Sequence, residues 1–104
     1  EGKKGGLELI VRLCIRETDK YGYELVSEVS NIVNVNEGTI YPILKRLTNE
    51  KYTETYIKES TEGPPRKYYH LTKPGKDRSK TLLKDYLAFD KKINKYLKEI
   101  GKHE

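Results

Sequence analysis

The sequence predicts a mainly α-helical fold with a small β-hairpin and a long C-terminal helix. Apolar residues recur at helical spacing in three segments of the first 50 residues. After these segments, β-branched and aromatic residues flank the turn cluster "TEGPP" at residues 61–65, which is typical of two strands joined by a tight loop. The last 30 residues then carry apolar side chains at alternating intervals of four and three, which predicts one long helix with an apolar seam.

The first two helices are short and amphipathic. In "LELIVRLCIRE" one helix face is formed at i, i+3, i+4 and i+7 by Leu7, Ile10, Val11 and Cys14. The segment "TDKYG" interrupts this pattern, and "YELVSEVSN" then supplies the buried edge of a second helix with Leu25, Val26 and Val29.

The third helix is predicted from "NEGTIYPILKRLTNE", whose apolar stripe consists of Ile40, Ile43, Leu44 and Leu47. Asn36 is a favourable N-cap, and in that case Pro42 lies in the second turn and should bend the helix. If the helix begins nearer Thr39, Pro42 fits into the first turn. The opposite face is polar and includes Thr39, Tyr41, Lys45 and Arg46.

A two-stranded hairpin is predicted from "TETYIKES" and "RKYYHLT". Pro64 and Pro65 cannot donate to a strand ladder, so they belong to the loop or to the start of the second strand. In that second strand the alternation of side chains places Tyr69 and Leu71 on one face, and Tyr68 and His70 on the other.

The seam of the last helix consists of Leu82, Tyr86, Phe89, Ile93, Tyr96 and Ile100. This heptad-like spacing favours a helix that pairs with a second copy of the chain, although the same seam could pack on its own domain. Hydrophobic residues make up only 35% of the 104 residues, which is a thin supply for a monomer and favours the homodimer.

The positive charge is concentrated in the second half of the chain. The net charge is +5, and between Arg66 and Lys84 there are seven basic residues and one acid, Asp77. Such a stretch suits phosphate or another anionic surface, or it is a solvated lysine-rich helix face.

The unpaired Cys14, the absence of a long apolar run and the absence of a signal-peptide core predict a cytoplasmic protein that does not enter a membrane. We expect no enzymatic activity, cofactor or metal site, because no phosphate-cradling glycine loop and no metal-ligand spacing occurs in the sequence.

Three helices followed by a hairpin is the order of a winged helix-turn-helix, in which the third helix enters the DNA major groove and the hairpin, or wing, contacts the backbone. The segments "YGYEL", "GTIYPILKRL" and "EGPPRKYYHLTKPG" resemble the PadR family of bacterial transcriptional regulators from about Leu7 to Gly75. The single helix after the wing is similar to the small subgroup of that family. The resemblance implies a DNA-binding domain at residues 1–73, a dimerisation helix at residues 74–104, and a repressor that binds a pseudo-palindromic operator as a homodimer.

We expect two groups of residues to contact double-stranded DNA. The recognition helix offers Asn36, Thr39, Tyr41, Lys45 and Arg46, and the wing offers Lys58, Thr61, Arg66 and Lys67, with Gly63 serving the turn. Two of these residues have structural alternatives. Tyr41 could be a packing residue that fixes the bent helix, and Arg66 could cover tyrosine rings.

The sequence departs from the family pattern at two positions. Lys51 stands where the resemblance implies a glycine that ends the recognition helix, which puts the geometry of that corner in question. Tyr86 stands where the small subgroup often has a tryptophan that lines a drug-binding pore. Tyr86 and Phe89 either form a pocket for a planar aromatic effector or pack in a plain dimer interface. The alternatives to a repressor are therefore a small-molecule sensor, or a winged helix used only for contacts with proteins.

Overall fold

The computed structural model describes residues 2–102, with side chains from residue 5 onward, so that residues 1, 103 and 104 of the predicted domains lie outside it. The elements, in chain order, are α1 (Gly2–Cys14), β1 (Lys20–Tyr21), α2 (Gly22–Ile32), α3 (Glu37–Asn49), β2 (Thr53–Lys58), β3 (Arg66–Leu71) and α4 (Lys73–Gly101). Helices dominate, the sheet is small and the last helix is long, which confirms the predicted fold class.

The hydrophobic core lies between the first three helices and the inner face of the sheet. It is formed by Val11, Cys14, Ile15, Leu25, Val29, Ile40, Leu44, Leu47, Tyr69 and Leu71. Each large aliphatic side chain buried in this way contributes about 1.5–3 kcal/mol relative to an exposed one. Tyr69 and Leu71 are on the inner face, as predicted, so the base of the wing is fixed in the same core as the helices.

The N-terminus of α3 follows the first of the two predicted alternatives. The carbonyl of Asn36 accepts hydrogen bonds from the N–H groups of Thr39 (3.1 Å) and Ile40 (3.3 Å), which makes Asn36 the N-cap. Pro42 therefore lies inside the helix, in its second turn. Because proline has no N–H, the carbonyl of Gly38 has no helical donor at this position.

The corner between α3 and β2 keeps a glycine-like geometry although a lysine occupies it. Lys51 has a φ of 68°, in the left-handed region, at a cost of roughly 1–2 kcal/mol for a residue with a Cβ. The N–H groups of Lys51 and Tyr52 donate to the carbonyls of Thr48 (3.1 Å) and Leu47 (2.9 Å) and close the helix end. The departure at Lys51 thus changes the residue but not the conformation.

The sheet has three antiparallel strands in the order β1-β3-β2, so the predicted two-stranded hairpin was incomplete. The hairpin register pairs Thr53 with Leu71 and Lys58 with Arg66. The additional strand, β1, pairs with β3 through Lys20↔Tyr69 and Tyr21↔Tyr68. Two residues are too few for a periodic pattern, and these lie in the segment whose sequence predicts a break between helices.

α4 begins at a well-formed cap beneath the wing. The Oγ1 of Thr72 accepts from the N–H of Gly75 (3.1 Å), and Pro74 occupies the first turn. The helix then extends beyond the other elements, so that the whole chain measures 61 × 26 × 21 Å. Every residue from 84 to 102 is exposed. Among residues 2–102, no helix has the length and apolar character needed to cross a membrane.

Candidate nucleic-acid interface

A cleft lies between the outward face of α3 and the wing strand β3. It has a volume of about 380 Å³ and is lined by Tyr41, Lys45, Thr48, Asn49, Lys67 and Tyr69. A smaller cleft of about 240 Å³ adjoins it around Tyr41 and Lys67 and includes Arg66. The structure therefore brings four of the predicted contact residues, Tyr41, Lys45, Arg66 and Lys67, to one side of the molecule.

Tyr41 packs on the start of α2 and also faces the cleft. A Cβ atom added to Gly22 would lie 3.0 Å from the hydroxyl oxygen of Tyr41 and 3.3 Å from its Cε1, so the close approach depends on glycine. The side chain of Tyr41 nevertheless keeps 40% of its surface exposed. The packing alternative is therefore correct for one edge of the ring, while the exposed part remains available in the cleft.

Cations lie over tyrosine rings along the wing. The guanidinium carbon of Arg66 is 4.4 Å from the centre of the Tyr21 ring, and the ammonium nitrogen of Lys67 is 5.7 Å from that of Tyr69. Lys58 lies 5.4 Å over the ring of Tyr68. These contacts hold the basic groups by cation–π attraction, and the side chains stay exposed to solvent.

Arg46 is turned away from the cleft and bonds to acidic groups. Its Nη1 lies 3.3 Å from Oε1 of Glu8 on α1 and 3.2 Å from Oε1 of Glu50. The hydrogen bond to Glu8 raises the pKa of Arg46. Burial raises the pKa of Glu8, but hydrogen bonds from Arg12 and Arg46 outweigh burial and lower it overall. Arg46 therefore ties α3 to α1, and its charge is offset within the protein.

The remaining predicted contacts lie at the two ends of this surface. Asn36 and Thr39 are exposed in the first turn of α3, and Lys58 and Thr61 are exposed at the end of the wing. Gly63 is exposed as well, but its φ is not positive and a Cβ atom there would meet nothing within 4 Å. Gly63 lies in the loop between β2 and β3, and its backbone conformation does not itself require glycine.

The seam of α4 is uncovered in the single chain. Large exposed side chains along it are Tyr86, Phe89, Ile93, Tyr96 and Ile100. Tyr86 and Phe89 also line a shallow groove of about 210 Å³ between α4 and α1, together with Leu9 and Asp85. The two residues predicted for a ligand pocket thus lie side by side on the exposed seam of α4.

Cys14 does not have the environment of a nucleophile. Its side chain is buried, and this burial, with the nearby carboxylate of Glu28, raises the pKa of the thiol to about 11. The thiolate that a nucleophile requires is therefore scarce at neutral pH. Across the described residues, no group of three or more His, Cys, Asp or Glu side chains is arranged to hold a metal ion.

Sequence analysis missed three contributors to this region. Tyr21 and Tyr23 line the smaller cleft, and the rings of Tyr21 and Tyr23 lie 6.5 Å apart. Their segment "YGYEL" is one of the motifs that carry the family resemblance, and this is the signal that the sequence offers for them. Arg12 is fully buried, lies 4.6 Å over the Tyr52 ring and pairs with Glu8, and nothing in its helical stripe distinguishes it as buried.

Three helices, a β-hairpin and a basic cleft between the third helix and the hairpin define a winged helix-turn-helix protein. The model of the PadR-like family of transcriptional regulators matches residues 11–81. The chain belongs to the PadR-like transcriptional regulator family.

Solved structures share the fold and about a quarter to a third of the sequence. A Streptococcus mutans protein is 32% identical, with a TM-score of 0.85 over 91% of this chain and 89% of that chain. A PadR-like transcriptional regulator from Bacillus cereus is 35% identical, with a TM-score of 0.83 over 90% and 93%. PadR of Bacillus subtilis, solved in complex with operator DNA, is 24% identical and matches in fold with a TM-score of 0.66, over 75% of this chain and 46% of that chain.

Proposed function

We propose that the protein is a homodimeric repressor that binds a pseudo-palindromic site in double-stranded DNA. The observation that carries this proposal is the cleft in which Lys45 of α3 and Lys67 of the wing lie on the same side of the molecule. Recognition of DNA needs both groups, because contacts to phosphate position a protein and contacts to base edges select the sequence. Such a regulator acts on chromosomal DNA, so we place it in the cytoplasm and assign it no catalytic role.

The two sides of the cleft have different roles in this proposal. The exposed face of the first three turns of α3, with the N-cap Asn36, Thr39 and Lys45, would face the major groove. Arg66 and Lys67 would contact the flanking backbone, where tyrosine rings beneath them restrict their motion. Arg46, which is held by Glu8, would contribute through the position of α3 rather than through a free charge.

The exposed seam of α4 supports the homodimer. Half-exposed aromatic side chains at Tyr86 and Phe89 are followed by Ile93, Tyr96 and Ile100 at heptad-like spacing, and none of these apolar groups is buried by the rest of the described chain. Pairing of two copies would present two α3 helices to successive major grooves, whose separation is about 34 Å.

Binding to fragments of DNA from upstream of the protein's own gene tests this function, with fluorescence anisotropy measured at several salt concentrations. Arg66→Ala and Lys67→Ala should each weaken binding to all fragments and reduce the salt slope by about one. Lys45→Ala should instead change the preference between fragments. Lys91→Ala is the matched control, since Lys91 is exposed on α4 on the side opposite the seam.

Two results would contradict the proposal. One is the failure of a folded wild-type dimer to bind any upstream fragment at low salt. The other is equal effects of the three cleft substitutions and Lys91→Ala, which would indicate a non-specific attraction. A winged helix that serves only protein contacts would show no dependence on salt of the kind that phosphate binding produces.

A second candidate function, release by a small aromatic effector, is favoured by the groove at Tyr86 and Phe89. Two grooves of about 210 Å³ facing each other in a dimer would enclose about 420 Å³, which is within the range of small-molecule sites. Titration with planar aromatic compounds should then quench tyrosine fluorescence and lower DNA affinity. A dimer that shows neither response to a panel of such compounds, cationic ones included because Asp85 borders the groove, would contradict this function.

A further inference from the structure

Asp19 connects the loop after α1 to both strands of the wing. One carboxylate oxygen accepts a hydrogen bond from the hydroxyl of Tyr56 on β2 (2.7 Å), and the other lies 2.8 Å from Nδ1 of His70 on β3. Tyr56 and His70 are 37 and 51 residues away from Asp19 in the sequence. These bonds lie on the outer face of the sheet, opposite the face that packs in the core.

The hydrogen bonds of this cluster favour an ionised Asp19 and a neutral Tyr56. The bond from Tyr56, followed by the bond from His70, lowers the pKa of Asp19, while the same contact raises the pKa of Tyr56 to about 12. At neutral pH Asp19 is therefore an acceptor and Tyr56 a donor, so Nδ1 of His70 carries the proton that it shares with Asp19. Lys76 of α4 also favours the carboxylate, and Glu54 of β2 lies 4.0 Å from Nε2 of His70.

The neighbouring residue fixes the same loop to the helices. The ammonium group of Lys20 donates to the carbonyl of Cys14 at the end of α1, and it also lies 3.2 Å from Oε2 of Glu28 on α2. Two adjacent side chains at the start of β1 thus bond to different parts of the protein. Lys20 holds the helix-turn-helix, and Asp19 holds the wing.

We propose that Asp19 is a positioning residue that sets the angle of the wing relative to α3. The proposal deepens the proposed DNA-binding function and rests on it. β2 is an edge strand whose first residue, Thr53, is buried and bonded to Thr48 of α3. Its residues from Tyr56 to Lys58 are exposed, so the core does little to hold the outer half of this strand. Asp19 supplies a bond to β2 that does not pass through β3, and Arg66 and Lys67 stand at the opposite end of β3 from His70.

The sign of the effect on DNA binding separates this role from simple electrostatics. Asp19 is negatively charged and would repel phosphate, so removal of its charge alone should tighten DNA binding. If Asp19 acts through the wing, removal should weaken binding instead. Glu17→Ala gives a matched control, because it removes a nearby exposed negative charge. Glu17 pairs with Arg16 and, among the described residues, makes no hydrogen bond or ion pair to a strand of the wing.

The first experiment measures amide hydrogen exchange in the free protein, which requires no DNA. Asp19→Ala should speed exchange of the β2 and β3 amides by about tenfold and leave α1 and α3 unchanged, whereas a general loss of stability would move all amides together. Tyr56→Phe keeps the ring stack with Tyr68, whose centroid is 5.5 Å away, and should give a smaller change of the same kind. Equal exchange of the wing in Asp19→Ala and Glu17→Ala would overturn the proposal.

The second experiment measures the affinity for a DNA fragment that the wild-type protein binds. We expect Asp19→Ala to weaken binding by about three- to tenfold and Glu17→Ala to leave it unchanged or slightly tighter. In an Arg66→Ala background, Asp19→Ala should cause a smaller loss of DNA affinity, because the wing then makes a weaker contact with DNA that its position can affect. Tighter binding by Asp19→Ala, or an undiminished loss in that background, would refute the positioning role. If the wild type binds no DNA, the proposed function fails, and the exchange data still decide whether Asp19 holds the wing.

Discussion

The exposed seam of α4 leads to a quantitative prediction for Phe89→Ala. Phe89 is 57% exposed in the single chain, and an aromatic side chain has roughly 200 Å² to bury. Covering the exposed part would remove about 110 Å² from water, which is worth about 3 kcal/mol per copy at 25 cal/mol per Å². Since a dimer contains two copies and alanine keeps its Cβ, we expect a loss of about 4 kcal/mol, or about a thousandfold in the dimer dissociation constant.

Sedimentation equilibrium of the wild type and Phe89→Ala over a wide concentration range measures this change directly. Ile32→Ala is the control, since Ile32 is 58% exposed and lies at the end of α2, away from the seam. Circular dichroism checks that the variants remain helical, as expected because Phe89 makes few contacts within its own chain. A dissociation constant for Phe89→Ala within threefold of the wild-type value, or an equal loss in Ile32→Ala, would refute the assignment of the seam as the dimer interface.

Two further predictions concern the stability of the fold. Gly75→Ala should lower the free energy of unfolding in urea by about 3 kcal/mol, because its Cβ would lie 2.1 Å from the Tyr52 carbonyl oxygen and 2.7 Å from Leu71 Cδ1. Gly101→Ala is the control and should have little effect, since a Cβ there would meet nothing within 4 Å. Equal stability of the two variants would contradict this prediction. Glu8→Gln should cost about 2–3 kcal/mol at pH 7, because it leaves the buried Arg12 without its anion. The pKa of Glu8 is lower in the folded protein, so the stabilisation by the ion pair is fully present above about pH 4.5 and is lost as the pH falls through the folded pKa. Urea unfolding at pH 7 and pH 3 should therefore show that the difference in free energy of unfolding between Glu8→Gln and the wild type becomes smaller at pH 3. A difference that stays constant would argue against the ion pair.

The parts of the fold that follow from local patterns could be predicted from the sequence. The apolar stripes of α1, α2 and α3 repeat at helical spacing, and Tyr69 and Leu71 share one face of β3. Each of these patterns matches a face that packs in the core. β1 could not be predicted, because Lys20 and Tyr21 become a strand only through pairing with β3, almost 50 residues later. Its existence depends on tertiary structure and not on local preference.

The candidate interface was predictable in composition but not in connections. Lys45, Arg66 and Lys67 carry the charge pattern of a DNA-binding surface, and the structure brings them to one side. Arg46 has the same residue type and helical position as a contact residue, yet its partner Glu8 is 38 residues away. A sequence pattern gives the face of a helix on which a cation lies, whereas the carboxylate that neutralises it is determined by the packing of helices.

The low apolar content and the many tyrosines of this chain have a common explanation in the wing. Lys58, Arg66 and Lys67 each lie over a tyrosine ring, so their hydrocarbon stems shield apolar surface that the small core cannot bury. The same side chains keep their charges in solvent, where a phosphate could meet them. One set of residues thus stabilises the wing and supplies its charge. Arg66→Ala therefore removes both contributions, while Arg66→Lys would keep the charge and lose the planar stacking on Tyr21. Comparison of the two variants separates the packing of the wing from its attraction to DNA.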